Sequence, residues 1–162
     1  MGVVSATDLA ALFTRDITRL RQELEAFPDT AALWVTGPGV TNAAGTLALH
    51  LEGNLREYIG RQIGGIDFTR DRPAEFNTRG VAKGDLVTRI DAVLASIPAV
   101  IAGLSEPALE TAYPEAVLGR TWSTRQFLIH LNGHLNYHLG QIDYLRRLTT
   151  GEGAIQLAQL EG

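Results

Sequence analysis

The segment from Phe127 to Arg147, FLIHLNGHLNYHLGQIDYLRR, limits most sharply what this chain can become. It contains no proline, and only Gly133 and Gly140 threaten a helix there. Phe127, Leu128, Leu131, Leu135, Ile142, Leu145 and Leu148 supply the apolar stripe of a long amphipathic helix. Within it histidine recurs at His130, His134 and His138. A spacing of four places side chains on one helix face, with Cβ atoms of successive turns about 5–6 Å apart. Two neutral imidazoles so placed can grip one transition metal. The chain has 4 histidines, and the remaining one, His50, lies far upstream in another helical pattern. We read His50 as crossing the fold to complete a three-histidine metal site.

At 162 residues the chain is the length of one domain, residues 1–162, large enough for a full core. It is 45% hydrophobic and 20% charged, which sets it apart from disordered chains. The net charge of -4 argues against a nucleic-acid partner, and so does the scatter of its arginines and of Lys83, which form no basic stripe. Cysteine is absent, so disulfides, zinc knuckles and a thiol nucleophile are excluded. No apolar run approaches the ~18 residues that a membrane span requires. The start, MGVVSATDLAAL, lacks the basic region and long apolar run of a signal peptide. The expectation is a cytoplasmic protein with no membrane partner.

The first helix is capped by Ser5 or Thr7 and follows Leu9, Leu12, Phe13, Ile17, Leu20, Leu24 and Phe27 to a stop at Pro28. Trp34 and the Gly37-Pro38-Gly39 turn lie in the next loop, where Trp34 reads as a plug on the end of the core rather than a pocket wall. A second helix runs from about Asn42 to Gly60, with His50 in its middle and Asn54 one turn on. Residues 61–80 read as a long surface connection, and connections of that length in compact domains are often functional. A third helix is expected from Gly84 to Gly103, kinked or split by Pro98. Residues 105–122 form a second connection, with a weak hairpin signal at Ala116 to Leu118. Ser123 or Thr121 caps the fourth helix, and Gly151 and Gly153 stop it. The tail from Ala154 can add one helical turn. Four amphipathic segments with few strand patterns predict an all-α four-helix bundle. The long connection between helices 2 and 3 lets them run parallel, which favours an up-down-down-up order.

Bundle interiors are where metal sites are built from facing side chains. In the fourth helix His134, His138 and Gln141 intrude where aliphatics are expected, and a metal would satisfy two of the imidazoles at once. The plain alternative is a histidine ladder that binds no metal, and spacing leaves both open. Nor does spacing decide between the pairs His130/His134 and His134/His138. Gln141, Asn54 and Glu52 are placed by position to hold a histidine's second nitrogen. No protein general base can be named; Glu52, two residues from His50, points to a different helix face.

The run His134-Leu-Asn-Tyr-His138-Leu-Gly140-Gln141-Ile142, with Tyr144-Leu145-Arg146-Arg147 after it, resembles the end of the last helix in the DinB-like (DinB/YfiT) family. Gly45-Thr-Leu-Ala-Leu-His50-Leu-Glu-Gly53-Asn54-Leu55 resembles that family's second-helix histidine region. Arg70-Asp71-Arg72 and Glu75-Phe76 look like the connection in one of its branches. The resemblance covers essentially the whole chain in order. It implies a four-helix bundle, a metal held by His50, His134 and His138, and frequent homodimers. His130 matches no obligatory ligand. Members with known activity include transferases and isomerases that use low-molecular-weight thiols.

Three imidazoles and no carboxylate make a neutral ligand set with an open position, as in catalytic zinc sites. Zn²⁺ and Ni²⁺ both suit imidazole, with Fe²⁺ the third choice. The leading expectation is a metal-dependent enzyme that activates water or a low-molecular-weight thiol toward a small-molecule substrate, a hydrolase or thiol transferase. The rival is a non-enzymatic metal-binding or dimerising bundle, a stress protein whose site is structural or vestigial.

Overall fold

The computed structural model describes residues 2–117 and 119–155. Their helices are α1 (Ala6–Glu25), α2 (Ala44–Leu55), α3 (Arg72–Asn77), α4 (Lys83–Ala102), α5 (Glu106–Glu110) and α6 (Thr124–Thr150). A short 3₁₀ turn covers Ala32–Trp34, and α2 continues as a wider π-type turn over Arg56–Arg61. No helix among the described residues is long and apolar enough to cross a membrane.

Local chemistry sets the helix ends. Ser5 and Asp8 close a reciprocal capping box on α1, and Ser123 and Gln126 do the same on α6. Gly151 ends α6 at a φ of 74°, a left-handed conformation that costs glycine little. Gly133 and Gly140 sit inside α6 without breaking it. Pro98 lies inside α4 and does not split it, because Val93, Ile97 and Ile101 on either side are buried in the same core.

The order of the bundle follows from contacts between helices. The Arg125 guanidinium at the start of α6 donates to the Val4 carbonyl beside the start of α1. Asn132 and Asn136 donate to Asp16 midway, and Arg146 pairs with Glu23 at the far end. So α1 and α6 run parallel. The Lys83 ammonium at the start of α4 donates to the Phe27 carbonyl just beyond α1, and Arg21 pairs with Asp91, which sets α4 antiparallel to α1. Arg89 of α4 meets Glu52 of α2, and Ile97 further along meets Gly60, so α2 and α4 run parallel. The order is up-down-down-up. Phe13, Ile17, Leu20, Leu51, Leu55, Ile90, Ile97, Leu128, Leu135 and Ile142, all buried, form the common core.

Trp34 plugs this core: its ring presses on Gly45, where an added methyl would come within 2.7 Å of it, and its indole N–H donates to the Val81 carbonyl. The connection before α4 holds more structure than its sequence suggested. Asp71 caps α3, with Pro73 in its first turn, and α3 packs on α2. Every residue of α2 is therefore buried. The second connection contains α5, capped by Ser105, and two isolated bridges, Ala112 with Ser123 and Val117 with Arg120. Leu118, at the end of the expected hairpin, and residues 156–162 of the expected tail turn lie outside the described residues.

Candidate metal centre

His50 projects from the middle of α2, and His134 and His138 project from adjacent turns of the antiparallel α6. One ligand nitrogen from each lies within 4.8 Å of the other two. The ring centroids are 5.1 Å apart for His50 and His134, 5.2 Å for His50 and His138, and 4.6 Å for His134 and His138. The Nε2 atoms of His50 and His134 are 3.2 Å apart. Two imidazoles on one tetrahedral zinc, each at about 2.05 Å, would have nitrogens about 3.3 Å apart. The cluster can hold a metal ion.

The second nitrogens support this. His50 Nδ1 lies 2.9 Å from Glu75 Oε2. An ionised carboxylate only accepts, so Nδ1–H donates and the lone pair on Nε2 faces the cluster. Burial opposes ionisation of Glu75, but hydrogen bonds from His50 and from Arg70 outweigh it and hold the carboxyl below its ordinary value. His138 Nδ1 donates to Gln141 Oε1 at 2.6 Å, which frees its Nε2 in the same way. Burial, with the nearby His138 and His50, lowers the His134 pKa to about 4. Burial lowers that of His138 too, against the pull of Gln141. Both rings are neutral at physiological pH, the state in which imidazole ligates. His134 Nδ1 is buried and has no hydrogen-bond partner among the described residues.

Of the candidate supports read from position, Gln141 takes that role. Glu52 instead pairs with Arg56 at 3.0 Å and Arg89 at 3.2 Å, and Asn54 bonds no histidine. Glu75 was missed. It is buried on α3, and Arg70 grips both of its oxygens at 2.6 and 2.9 Å. Gly53 makes room for it, since a methyl on Gly53 would overlap the Glu75 carboxylate. The sequence signal was Asp71 two residues before Pro73, a helix start that brings Glu75 into the first turn.

His130 stands apart from the three. Its ring stacks on Phe127 at 5.8 Å and lies 5.4 Å from Trp122. Two spaces open beside the cluster. A groove of about 500 Å³ lies along Leu47, Tyr137, His138, Tyr144, Leu145 and Leu148. A smaller cavity of about 200 Å³ touches His50, His134 and His130. The cluster is thus reachable from two sides, from the groove at His138 and from the cavity at His50 and His134.

A DinB-like protein from Bacillus cereus has the same fold, with a TM-score of 0.69 over 91% of this chain and 96% of that one, at 17% identity. No curated protein matches the chain. The mycothiol-S-transferase family model matches residues 8–151. That match spans all four bundle helices and takes in His50, Glu75, His134 and His138 together, so the chain belongs to the mycothiol-S-transferase family of DinB-like bundles.

Proposed function

We propose that the protein is a metal-dependent thiol S-transferase in which His50, His134 and His138 hold a divalent transition metal, zinc or nickel before iron. The observation that carries this reading is the convergence of three neutral imidazoles with no carboxylate among them. Such a set leaves a bound ion its full charge, and the ion would lower the pKa of a thiol or water at its open position. The family match favours a low-molecular-weight thiol over water.

The chain's own residues supply orientation and exclusion. Glu75 and Gln141 fix the tautomers of His50 and His138, and Arg70 fixes Glu75. The groove along Leu47, Tyr144 and Leu145 gives one approach a largely apolar lining. Among the described residues, Glu75 is the carboxylate that touches a histidine of the cluster, and both of its oxygens are already engaged, so it is not free to act as a base. A thiol-dependent reaction also fits the reducing cytoplasm.

The test is consumption of mycothiol by zinc-loaded protein in the presence of a chlorinated acceptor. The expected result is turnover in the wild type and a fall to background in His138→Ala. Equal rates in the two, or hydrolysis of the acceptor without loss of thiol, would overturn the reading.

The same reading extends to assembly. Ile129, Tyr137, Tyr144 and Leu148 are exposed along one side of α6, with Gly133 and Gly140 between them as shallow notches. Paired α6 helices from two copies would cover this strip and so roof the groove that Tyr137, Tyr144 and Leu148 also line. Sedimentation should then give about twice 17.5 kDa, and a clean monomer at micromolar concentration would remove the claim.

A further inference from the structure

The 200 Å³ cavity differs in character from the apolar groove on the other side of the cluster. His50 and His134 form one side of it, and Phe127, Leu131 and Val117 form an apolar wall. Asn54 and Arg72, outside the histidine cluster, are polar groups of this lining whose hydrogen-bonding capacity the fold leaves unused, as is His134 Nδ1 within it. Asn54 is only 6% exposed, lines the cavity one helical turn after His50, and its buried Oδ1 has no hydrogen-bond partner among the described residues. Leaving such an oxygen unpaired is costly, so a donor brought to it gains correspondingly. Arg72 is exposed at the rim and stacks over the Phe76 ring at 5.2 Å. No carboxylate among the described residues pairs with it. Arg70 also lines the cavity, but Glu75 occupies it.

We propose that this cavity binds the second substrate, and that this substrate is a compact carboxylate with a hydroxyl or amide N–H beside it and a short apolar tail. Arg72 takes the carboxylate, Asn54 Oδ1 accepts from the neighbouring donor, and Phe127, Leu131 and Val117 cover the tail. A free ammonium in place of the hydroxyl is disfavoured beside Arg70 and Arg72. The role of this compound as second substrate rests on the thiol-transferase reading above; its binding does not, because neither Asn54 nor Arg72 is one of the three histidines. The two spaces then divide the work, with the thiol's body along the groove and the acid in the cavity.

An unreactive probe of this class is leucate, the hydroxy acid analogue of leucine. Calorimetric titration of the zinc-loaded protein with leucate should show saturable binding. Isocaproate, which lacks the hydroxyl, should bind about five- to tenfold more weakly, and Asn54→Ala should lose a similar factor for leucate but nothing for isocaproate. Arg72→Gln should weaken both acids at least about tenfold, since a charge-assisted pair is lost. Isohexanol, which lacks the carboxylate, should not bind. Arg72 is exposed, so its variant is expected to fold, and metal content measured on the same samples shows whether the centre is intact. Undiminished leucate binding in Arg72→Gln would mean that the acid sits elsewhere and would overturn the proposal, as would no binding by the wild type. Leucate binding with the predicted variant pattern in protein that takes up no metal would sink the metalloenzyme reading and leave the cavity assignment standing.

Discussion

Replacing His50 with alanine is expected to strip the protein of stoichiometric metal. The three ring nitrogens lie within 4.8 Å of one another, and His50 is the only one of the three carried by α2. The two histidines left on α6 would form a bidentate clip of much lower affinity, so zinc binding should weaken at least about a hundredfold, beyond the ~10–100-fold that loss of an outer support costs. His134→Ala and His138→Ala should behave alike. His130→Ala should retain metal, because that ring lies against Phe127 and Trp122. Gly53→Ala gives an intermediate result: the new methyl displaces the Glu75 carboxylate, His50 loses the partner on Nδ1, and zinc affinity drops about 10–100-fold with all three ligands present. Mass spectrometry of metal content on tag-free protein and competition with a chromophoric chelator measure both effects. Full metal occupancy in either His50→Ala or His138→Ala would refute the ligand assignment. Unchanged affinity in Gly53→Ala would show that Glu75 does not tune the centre.

The parts of this structure that depend on local chemistry were legible in the sequence. The Ser5 and Ser123 caps, the Gly151 stop, the parallel placement of α2 and α4 and the shared face of His134 and His138 all follow from spacing, capping and connection length. The supports around the histidine cluster were only half legible. Gln141 sits three residues from His138, within one helix, and was found by position. Glu75 lies twenty-five residues from His50, and its contact exists only because the crossover folds back as α3 onto α2. No periodicity reports such a contact. The same docking explains why Asn54 and Glu52 were misjudged as supports: with α2 buried on every side, each finds a different neighbour, Glu52 the arginines and Asn54 the cavity. Pro98 was expected to kink or split α4, and the helix runs through it without splitting because its flanking residues are held in the core. His130 stayed ambiguous because all three α6 histidines share one spacing, and only the approach of α2 distinguishes them.

Arg146→Met is expected to destabilise the fold by about 3–5 kcal/mol, the cost of leaving one member of a buried ion pair alone. Arg146 and Glu23 are each 1% exposed, and they join the far ends of α6 and α1. Burial pushes the Glu23 carboxyl up, against the pull of Arg146, so the pair sits where an isolated charge is poorly tolerated. Arg146 also donates to the Gly153 carbonyl at 3.0 Å, a bond lost in the variant. The midpoint of denaturant unfolding measures the change. Glu23→Leu should cost less, because the guanidinium keeps Asp143 at 3.3 Å and the Gly153 carbonyl at 3.0 Å. The double variant separates the explanations: with both charges gone and apolar groups of similar volume in their place, most of the loss should be recovered. If the two single losses simply add, the pair is not coupled and each residue acts through packing alone. The position of this pair ties stability to function. It fixes the parallel α1–α6 register at the end of the helix that carries His134 and His138, and Asp16 fixes the same register midway through Asn132 and Asn136. Under conditions where Arg146→Met remains folded it should therefore bind zinc with unchanged stoichiometry, since the Asp16 clasp still holds the two histidines opposite His50. Loss of zinc from folded Arg146→Met would show instead that the clasp alone does not hold them there.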